Sequence, residues 1–461
     1  MVALGCDVLA GGSCAGWWMR QTDSVRDVEV RYAEHDGKCL AYEVFGEGPT
    51  DLLVHQICYP IDLTWDLPQL SDFMDSLGEC ARVIAFDSRG EGASDPIDDP
   101  GAATLEAWCD DVFAVLDAAG ADRVTVFDMT TGVGGIMLAA TYPDRVRSLI
   151  LSHLWTSNPD LRDMSASDLR QASREFCSVE SLEVDNPRVA HDPVLRQWWG
   201  RARRLLLSPE AAFDYFRWGG RMDVEPLLSS VRVPTLVLHR RDNRVFDIEM
   251  SRRAAAKIRD ARFVGLPGSE TDLFLGDTRS VLAAIRPFLE DESSSALDEV
   301  RPLATVLFTD IVSSTEQLAA VGDSAWRRLL DDLDHTTVRI VAEHRGRVVK
   351  QTGDGILATF DGPARAVRCA TELLNAAAAQ KITLRAGLHT GEIELRPPDI
   401  AGIAVHTANR IANLAGPNEI LVSRTVVDLT AGSGLTFEPR GEHQLKGVPG
   451  TWPIFAAQLR N

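Results

Sequence analysis

Six short runs rich in β-branched residues recur between Asp27 and about Glu290, and amphipathic stretches separate them. Strands that are buried on both faces of a parallel sheet read as continuous apolar runs, and the helices between them read as amphipathic segments. The alternation therefore predicts a mostly parallel sheet covered by helices on both faces. The six predicted strands are DLLVHQI, RVIAFD, RVTVFDM, SLILSHL, TLVLHRR and ARFVGL.

A stretch from about Leu154 to Ser230 interrupts this alternation. Its pattern is helical, with tryptophans among many arginines, which predicts an inserted helical cap over the sheet. We expect the tryptophans to pack the cap onto the core of its own domain. They are Trp155, Trp198, Trp199 and Trp218.

The segment EDESSSALDEVRP is acidic and serine-rich and has little apolar surface to bury, which is typical of a linker. The apolar pattern restarts after it in the order βαββαβ, which predicts an α+β ferredoxin-like sheet with helices on one face. We therefore predict four segments. They are a loosely ordered tail over 1–26, a first domain over 27–290, a linker over 291–302 and a second domain over 303–461.

Charge and cysteine content narrow the function classes. The formal net charge of −20 argues against a nucleic-acid partner, because phosphate backbones are bound by basic surfaces. The eight cysteines are scattered and form no C-x-x-C pair, as is typical of a reducing cytoplasm. No run of about 18 apolar residues predicts a membrane span, and the first 26 residues lack the basic start of an export signal. We expect a cytoplasmic protein.

Two aspartates stand at strand ends in the second domain. Asp310 ends the strand in LFTDIVSST, and Asp354 lies at the tip of the predicted hairpin Lys350–Phe360. On neighbouring strands both carboxylates would reach one edge of the sheet. Mg²⁺ and Mn²⁺ prefer oxygen ligands and retain substrate phosphates as further ligands. The pair therefore predicts a two-metal site that activates a hydroxyl and stabilises a leaving phosphate.

Cationic groups follow later in the chain. Arg410 comes four residues after His406, so the two side chains share a helix face. A guanidinium at such a position can stabilise charge that develops on a phosphate. Lys446 in LKGVPG provides a second cation near the end of the chain.

Five ordered motifs of this domain resemble those of the class III adenylyl and guanylyl cyclases: FTDIVSST, VVKQTGDG, GLHTGE, DIAGIAVHTANRIA and RGEHQLKGV. The resemblance covers essentially all of 303–461. It implies that Asp310 and Asp354 bind two Mg²⁺ or Mn²⁺ ions, with the carbonyl of Ile311 assisting. It also implies that Lys350 and Asp399 form hydrogen bonds with the purine base and determine which base is bound.

The resemblance further implies roles for the cationic residues. Arg410 would stabilise the transition state at the α-phosphate, and Lys446 would contact the terminal phosphates. His406 stands where the family usually has Asn; both can donate one hydrogen bond toward the ribose.

The implied reaction is the conversion of ATP to 3′,5′-cyclic AMP and pyrophosphate, because a Lys–Asp pair suits adenine. In the family, the metal ligands and the purine readers of one site come from different subunits, which implies a head-to-tail homodimer with two equivalent sites. A guanylate cyclase and a module that only binds nucleotide are the alternatives.

The first domain resembles the α/β-hydrolase fold over about 27–290, through FDSRGEGASDP, ATYPDRVRSLIL and ARFVGLPGSETDLFLGD. A serine hydrolase of that fold needs G-x-S-x-G, an acid and a histidine. Thr130, or Met129 with a shifted alignment, occupies the serine position. Asn243 occupies the acid position, beside Asp242, and Thr271 the histidine position.

Without an imidazole no group removes the proton of the hydroxyl, so we expect this domain to be catalytically inactive. Two roles stay open for it. It is an inert scaffold that supports dimerisation, or its pocket under the cap binds a small ligand and tunes the cyclase. An esterase or lipase with a vestigial cyclase domain is the rival reading of the whole chain.

Overall fold

The computed structural model of the chain describes residues 28–99, 103–291, 301–396 and 399–458. The predicted tail and most of the predicted linker lie outside these residues. No helix in the described segments is long and apolar enough to cross a membrane.

The N-terminal domain is built on an eight-stranded sheet of order β1-β2-β4-β3-β5-β6-β7-β8. Strands β3 to β8 pair in parallel, so the six predicted strands and the parallel sheet are confirmed. A hairpin precedes them, and it turns at Asp36 and Gly37, which both have positive φ, the geometry of a type I′ turn. The strands are β1 Arg31–His35, β2 Lys38–Phe45, β3 Asp51–His55, β4 Arg82–Phe86, β5 Val124–Asp128, β6 Val146–Ser152, β7 Thr235–Arg240 and β8 Arg262–Leu266.

Helices cover both faces of this sheet, and two buried apolar clusters lie between them and the strands. The predicted cap is helical and consists of α4 to α8. The helices are α1 Pro68–Gly78, α2 Leu105–Ala119, α3 Val133–Thr141, α4 Pro159–Asp163, α5 Ala166–Phe176, α6 Ser181–Asp185, α7 Pro193–Leu206, α8 Pro209–Gly219, α9 Ile248–Ala255 and α10 Thr278–Glu290, with 3₁₀ turns at Ile61–Asp66 and Glu225–Ser230.

The C-terminal domain has a seven-stranded sheet of order β10-β11-β9-β12-β15-β17-β16 and a two-stranded β13-β14 ribbon. The strands are β9 Leu303–Ile311, β10 Arg347–Gln351, β11 Ile356–Phe360, β12 Leu384–Glu392, β13 Glu394–Arg396, β14 Asp399–Ala401, β15 Ile420–Ser423, β16 Phe437–Gln444 and β17 Thr451–Ala457. The helices are α11 Ser314–Val321, α12 Asp323–Glu343, α13 Pro363–Ala379, α14 Ile403–Leu414 and α15 Arg424–Leu429.

The α+β sheet agrees with the sequence, but the helices do not all lie on one face as predicted. Helices α12 and α13 pack with Leu307 on one side of the sheet, whereas α14 packs with Val306 and Phe308 on the other. Side chains alternate along a strand, so these neighbours belong to opposite faces. Gly387 in β12 permits the close approach of α14, because a Cβ there would lie 2.1 Å from the backbone nitrogen of Ala412.

The two domains pack against each other through a mixed interface. Leu303 and Leu429 are buried in the apolar cluster that also contains residues of α2 and α3. Arg232 donates to both carboxylate oxygens of Glu392, at 2.9 and 2.7 Å. Trp218 donates from Nε1 to the carbonyl oxygen of Ala431 at 2.9 Å. This tryptophan packs against the apolar core cluster as predicted, and its indole nitrogen in addition donates a hydrogen bond to the C-terminal domain.

Candidate active site

Asp310 and Asp354 lie on adjoining parts of the C-terminal sheet. Asp310 is the penultimate residue of β9, and Asp354 belongs to the turn between β10 and β11, the strand that pairs with β9. Gly355 packs directly on β9, since a Cβ there would lie 1.8 Å from the carbonyl oxygen of Thr309. The hydroxyl of Thr309 also accepts a hydrogen bond from the backbone of Ile356 at 3.2 Å. Asp310 and Asp354 therefore lie at the same end of the paired strands β9 and β11.

Arg385 on β12 is paired with Asp310, and the sequence analysis did not single it out. Its Nε donates to Asp310 Oδ2 at 2.9 Å, and its Nη2 contacts the same oxygen. Both groups are about one-third exposed or less. Strand register could have found the pair, because Arg385 stands directly opposite Asp310 in the antiparallel β9–β12 ladder.

The residues present fit a divalent cation that keeps substrate oxygens as ligands. Asp310 and Asp354 supply carboxylate oxygens, and within the described residues Arg385 is bonded to Oδ2 of Asp310. Ile311, predicted to help through its carbonyl, is the buried last residue of β9. Within the described residues no group of three His, Cys, Asp or Glu side chains could hold a metal alone. Two carboxylates without a full protein cage are typical of Mg²⁺ bound together with phosphates.

A cavity of about 170 Å³ opens beside the hairpin turn. Asp354 and Gly355 line one side, and Arg327, Asp331 and Asp334 of α12 line another. Ligand pockets for molecules of nucleotide size have volumes of about 300–1,000 Å³. This cavity alone is therefore too small to enclose a nucleotide.

The two predicted purine readers contact each other. Lys350 Nζ donates to Asp399 Oδ2 at 2.5 Å, between β10 and the neighbouring β14. Both side chains are nearly half exposed, so they are accessible to a ligand. The hydrogen bond from Lys350 lowers the pKa of Asp399, which keeps the carboxylate ionised and able to accept hydrogen bonds.

His406 and Arg410 lie on α14, on the face turned away from the sheet. Ala404, Ala408 and Ala412 form the buried face of this helix, whereas His406 is exposed. Arg410 donates from Nε to the carbonyl oxygen of Lys446 at 3.0 Å, so these two predicted phosphate contacts are neighbours. Two large apolar residues of the same helix are also exposed to solvent: Ile403 is 54% and Leu414 42% exposed.

The structure thus sorts the predicted site residues into two groups within one chain. One group contains residues of β9, of the β10–β11 hairpin and of the ribbon beside it: Asp310, Asp354, Lys350 and Asp399. Arg410 and Lys446 form a second group on the outer side of α14. The single chain shows no hydrogen bond or ion pair between the two groups in the described residues.

The three degenerate hydrolase positions lie around the end of β5 and beyond β7 and β8. Thr130 donates from its hydroxyl to Asp128 Oδ1 at 2.6 Å. Asn243 donates from Nδ2 to the hydroxyl of Thr271 at 3.0 Å, so the two residues in the acid and histidine positions contact each other. Neither the amide of Asn243 nor the hydroxyl of Thr271 can accept the proton of a nucleophile as an imidazole does.

Asp128 is a weak base as well. Burial alone would raise its pKa, but His55 and the hydrogen bonds from Thr130 and Gly135 lower it. His55 Nδ1 lies 3.5 Å from Asp128 Oδ1. Seven described non-glycine residues have a positive φ, and Thr130 is not one of them. Its backbone therefore lacks this kind of strain, whereas the serine of an active α/β-hydrolase sits on a strained turn.

Two family models match separate parts of the chain. Residues 298–456 match the family model of the adenylate and guanylate cyclase catalytic domain, and residues 52–278 match that of the alpha/beta hydrolase fold. The chain therefore has a region of alpha/beta hydrolase fold, followed by an α+β domain similar to the adenylate and guanylate cyclase catalytic domain.

Individual relatives cover parts of the chain. A Rhizobium meliloti protein described as a candidate adenylate cyclase is 31% identical over 157 residues, which are 32% of this chain and 27% of that protein. The chain spans between about a quarter and a half of the length of the first curated relatives it matches.

Two solved structures from Pseudomonas aeruginosa are similar to separate regions. The match to a hydrolase has a TM-score of 0.48 at 22% identity. It covers 57% of this chain and 99% of the hydrolase chain. The match to the adenylyl cyclase CyaB has a TM-score of 0.32 at 20% identity. It covers 34% of this chain and 93% of the CyaB chain.

Proposed function

We propose that the chain is an adenylate cyclase that converts ATP into 3′,5′-cyclic AMP and pyrophosphate. The observation that carries the proposal is the contact between Lys350 and Asp399. An ammonium only donates hydrogen bonds, and an ionised carboxylate only accepts them. Adenine offers an acceptor at N1 to Lys350 and an amine donor at its 6-position to Asp399. Guanine inverts both groups, with a donor at N1 and a carbonyl at the 6-position.

The proposed reaction needs positioning and charge stabilisation rather than a covalent nucleophile. The ribose 3′-hydroxyl attacks the α-phosphorus in line, and pyrophosphate leaves. Asp310 and Asp354 would hold Mg²⁺ or Mn²⁺, two ions per site, and the carbonyl of Ile311 would assist. Bound divalent cations would activate the hydroxyl and offset the charge of the leaving group.

The remaining residues act on the nucleotide itself. Arg410 stabilises the charge that develops at the α-phosphate, and Lys446 contacts the terminal phosphates. His406 donates one hydrogen bond toward the ribose. Their shared position on and beside α14 supports a common role, because Arg410 is bonded to the backbone of Lys446.

We propose that a homodimer with two-fold symmetry completes the site. Arg410 and the carboxylates form separate groups in one chain, and the cavity at Asp354 is too small for a nucleotide. A second copy placed head to tail would bring its α14 against the first hairpin and form two equivalent sites. The exposed Ile403 and Leu414 support this arrangement, because they supply apolar surface on the face that would be covered.

We propose that the N-terminal domain has no hydrolase activity and acts on the cyclase through assembly or through a ligand bound under its cap. The hydroxyl of Thr130 is bonded to a weakly basic carboxylate, and Asn243 and Thr271 are bonded to each other. These contacts disfavour the rival reading as an esterase.

The test of the proposal is nucleotide preference in the purified full-length protein with Mn²⁺. Replacing both readers, Lys350→Glu and Asp399→Cys, inverts the hydrogen-bond pattern. The ratio of kcat/KM for ATP to that for GTP should fall at least tenfold, since an unmatched buried polar group costs about 1–3 kcal/mol. A wild-type enzyme that prefers GTP, or an unchanged ratio in the double variant, would contradict the assignment of adenine.

A further inference from the structure

Glu106 of the N-terminal domain caps a helix of the cyclase domain. Its carboxylate is 2% exposed and accepts hydrogen bonds from the backbone nitrogens of Ala364 at 2.5 Å and Arg365 at 3.3 Å, in the first turn of α13. The N–H groups at a helix start lack partners within the helix, and here the carboxyl oxygens of Glu106 accept from two of them. Gly362 makes room for this carboxylate, because a Cβ there would lie 2.1 Å from the carboxyl carbon of Glu106.

Asp110, one turn further along α2, binds two arginines of the cyclase domain. Its Oδ2 lies 2.7 Å from Arg345 Nη1 and also contacts Arg365. Arg365 in turn pairs with Asp361 at 2.8 Å, and Asp361 accepts a hydrogen bond at 3.0 Å from Tyr142, the residue directly after α3. Asp110 itself is 5% exposed, and the side chain of Arg365 is 14% exposed, so this ionic contact is largely desolvated, whereas Arg345 is 52% exposed.

These contacts hold both ends of one hairpin. Arg345 stands two residues before β10, and Asp361 directly follows β11. The same hairpin carries Lys350 near the end of β10 and Asp354 in its turn. Strand β10 is the edge of the seven-stranded sheet, so within that sheet only β11 pairs with it. Its position therefore depends strongly on what holds the base of the hairpin.

We infer that Glu106 and Asp110 are positioning residues for the nucleotide site, through which the N-terminal domain fixes the hairpin that carries Lys350 and Asp354. This inference rests on the proposed roles of those two residues. The N-terminal domain then forms part of the support of the cyclase site. In this account α2 is the connecting element, because its Trp108 packs on the opposite side, 4.8 Å from the ring of His55 at the degenerate hydrolase site.

A matched control exists on the same helix. Asp111 is also buried, at 3% exposure, but its partners belong to its own domain: Arg89 donates to it from Nε at 3.0 Å, and His35 Nδ1 lies 2.8 Å away. Asp111→Asn removes a buried carboxylate charge as Asp110→Asn does, without touching the hairpin.

The experiment measures amide hydrogen exchange in the full-length protein without nucleotide, for the double variant Glu106→Gln/Asp110→Asn and for Asp111→Asn. Exchange across residues 347–360 should rise at least tenfold in the double variant and stay at the wild-type rate in Asp111→Asn. An unchanged rate in a double variant that still unfolds cooperatively would overturn the inference. An equal rise in both variants would overturn it too, because general destabilisation would then explain the effect.

Steady-state kinetics separate this inference from the proposed function. The double variant should raise KM for ATP and the Mn²⁺ concentration for half-maximal rate at least threefold, while Asp111→Asn leaves both unchanged. Faster exchange in the hairpin with unchanged kinetic constants would overturn the positioning role. If the wild-type protein makes no cyclic nucleotide, the proposed function fails, and the exchange measurement still decides whether Glu106 and Asp110 hold the hairpin.

Discussion

The buried carboxylate of Glu106 should make the stability of the protein depend on pH. Burial raises the pKa of Glu106 from its ordinary value of 4.5 to about 7, although the backbone N–H of Ala364 and the charge of Arg365 oppose the increase. A raised pKa in the folded state means that folding favours the protonated form. The contribution of Glu106 to the free energy of unfolding is therefore fully present below pH 4.5 and is lost as pH rises through about 7.

The magnitude follows from the size of this increase. A pKa that is about 2.5 higher in the folded state corresponds to about 3 kcal/mol in the free energy of unfolding. Part of this contribution is already lost at pH 5. The free energy of unfolding should therefore fall by about 2 kcal/mol between pH 5 and pH 8. The assay is urea unfolding of the full-length protein across this range, for wild type, Glu106→Gln and Glu249→Gln, a carboxylate that is 57% exposed. Glu106→Gln should flatten the pH dependence by about 2 kcal/mol relative to both other proteins. An identical pH dependence in Glu106→Gln and wild type would refute the reasoning.

Three further predictions concern the two sites. The Asp310→Ala and Arg410→Ala proteins should each be inactive. Their mixture should regain up to about a quarter of wild-type activity, because each heterodimer would carry one intact site. No recovery in verified heterodimers would contradict the shared site. Arg385→Met should tighten Mn²⁺ binding to the nucleotide-free protein at least threefold, measured by titration of free Mn²⁺, because the arginine competes for Asp310; weaker binding would contradict this competition. Thr130→Ser should not produce hydrolysis of short-chain esters, since a triad acts as a unit; turnover that requires the serine would contradict the assignment as inactive.

The strands, and the placement of the two aspartates near the end of β9 and in the β10–β11 turn, could be predicted because their signals are local. Buried parallel strands read as apolar runs, and the motif around Asp310 and the hairpin around Asp354 are contiguous in sequence. The face on which α14 packs could not be predicted, since the order of elements leaves both faces open until Gly387 permits a close contact.

The contacts between the domains were also beyond sequence reasoning. Glu106 and Asp110 lie among other acidic residues on an amphipathic helix, and such positions usually face solvent. Trp218 resembles the other cap tryptophans, and only the packed structure shows that its indole is bonded to Ala431. Contacts of this kind depend on how two folded surfaces meet, which local patterns do not encode.

We propose that this chain makes cyclic AMP from ATP. The most direct measurement is a chromatographic product assay on the purified full-length protein with Mn²⁺ and equal concentrations of ATP and GTP, with Asp354→Asn as the control. We expect cyclic AMP as the main product, pyrophosphate in equal amount and loss of both in the control. Cyclic GMP as the main product, or product formation that persists in Asp354→Asn, would contradict it.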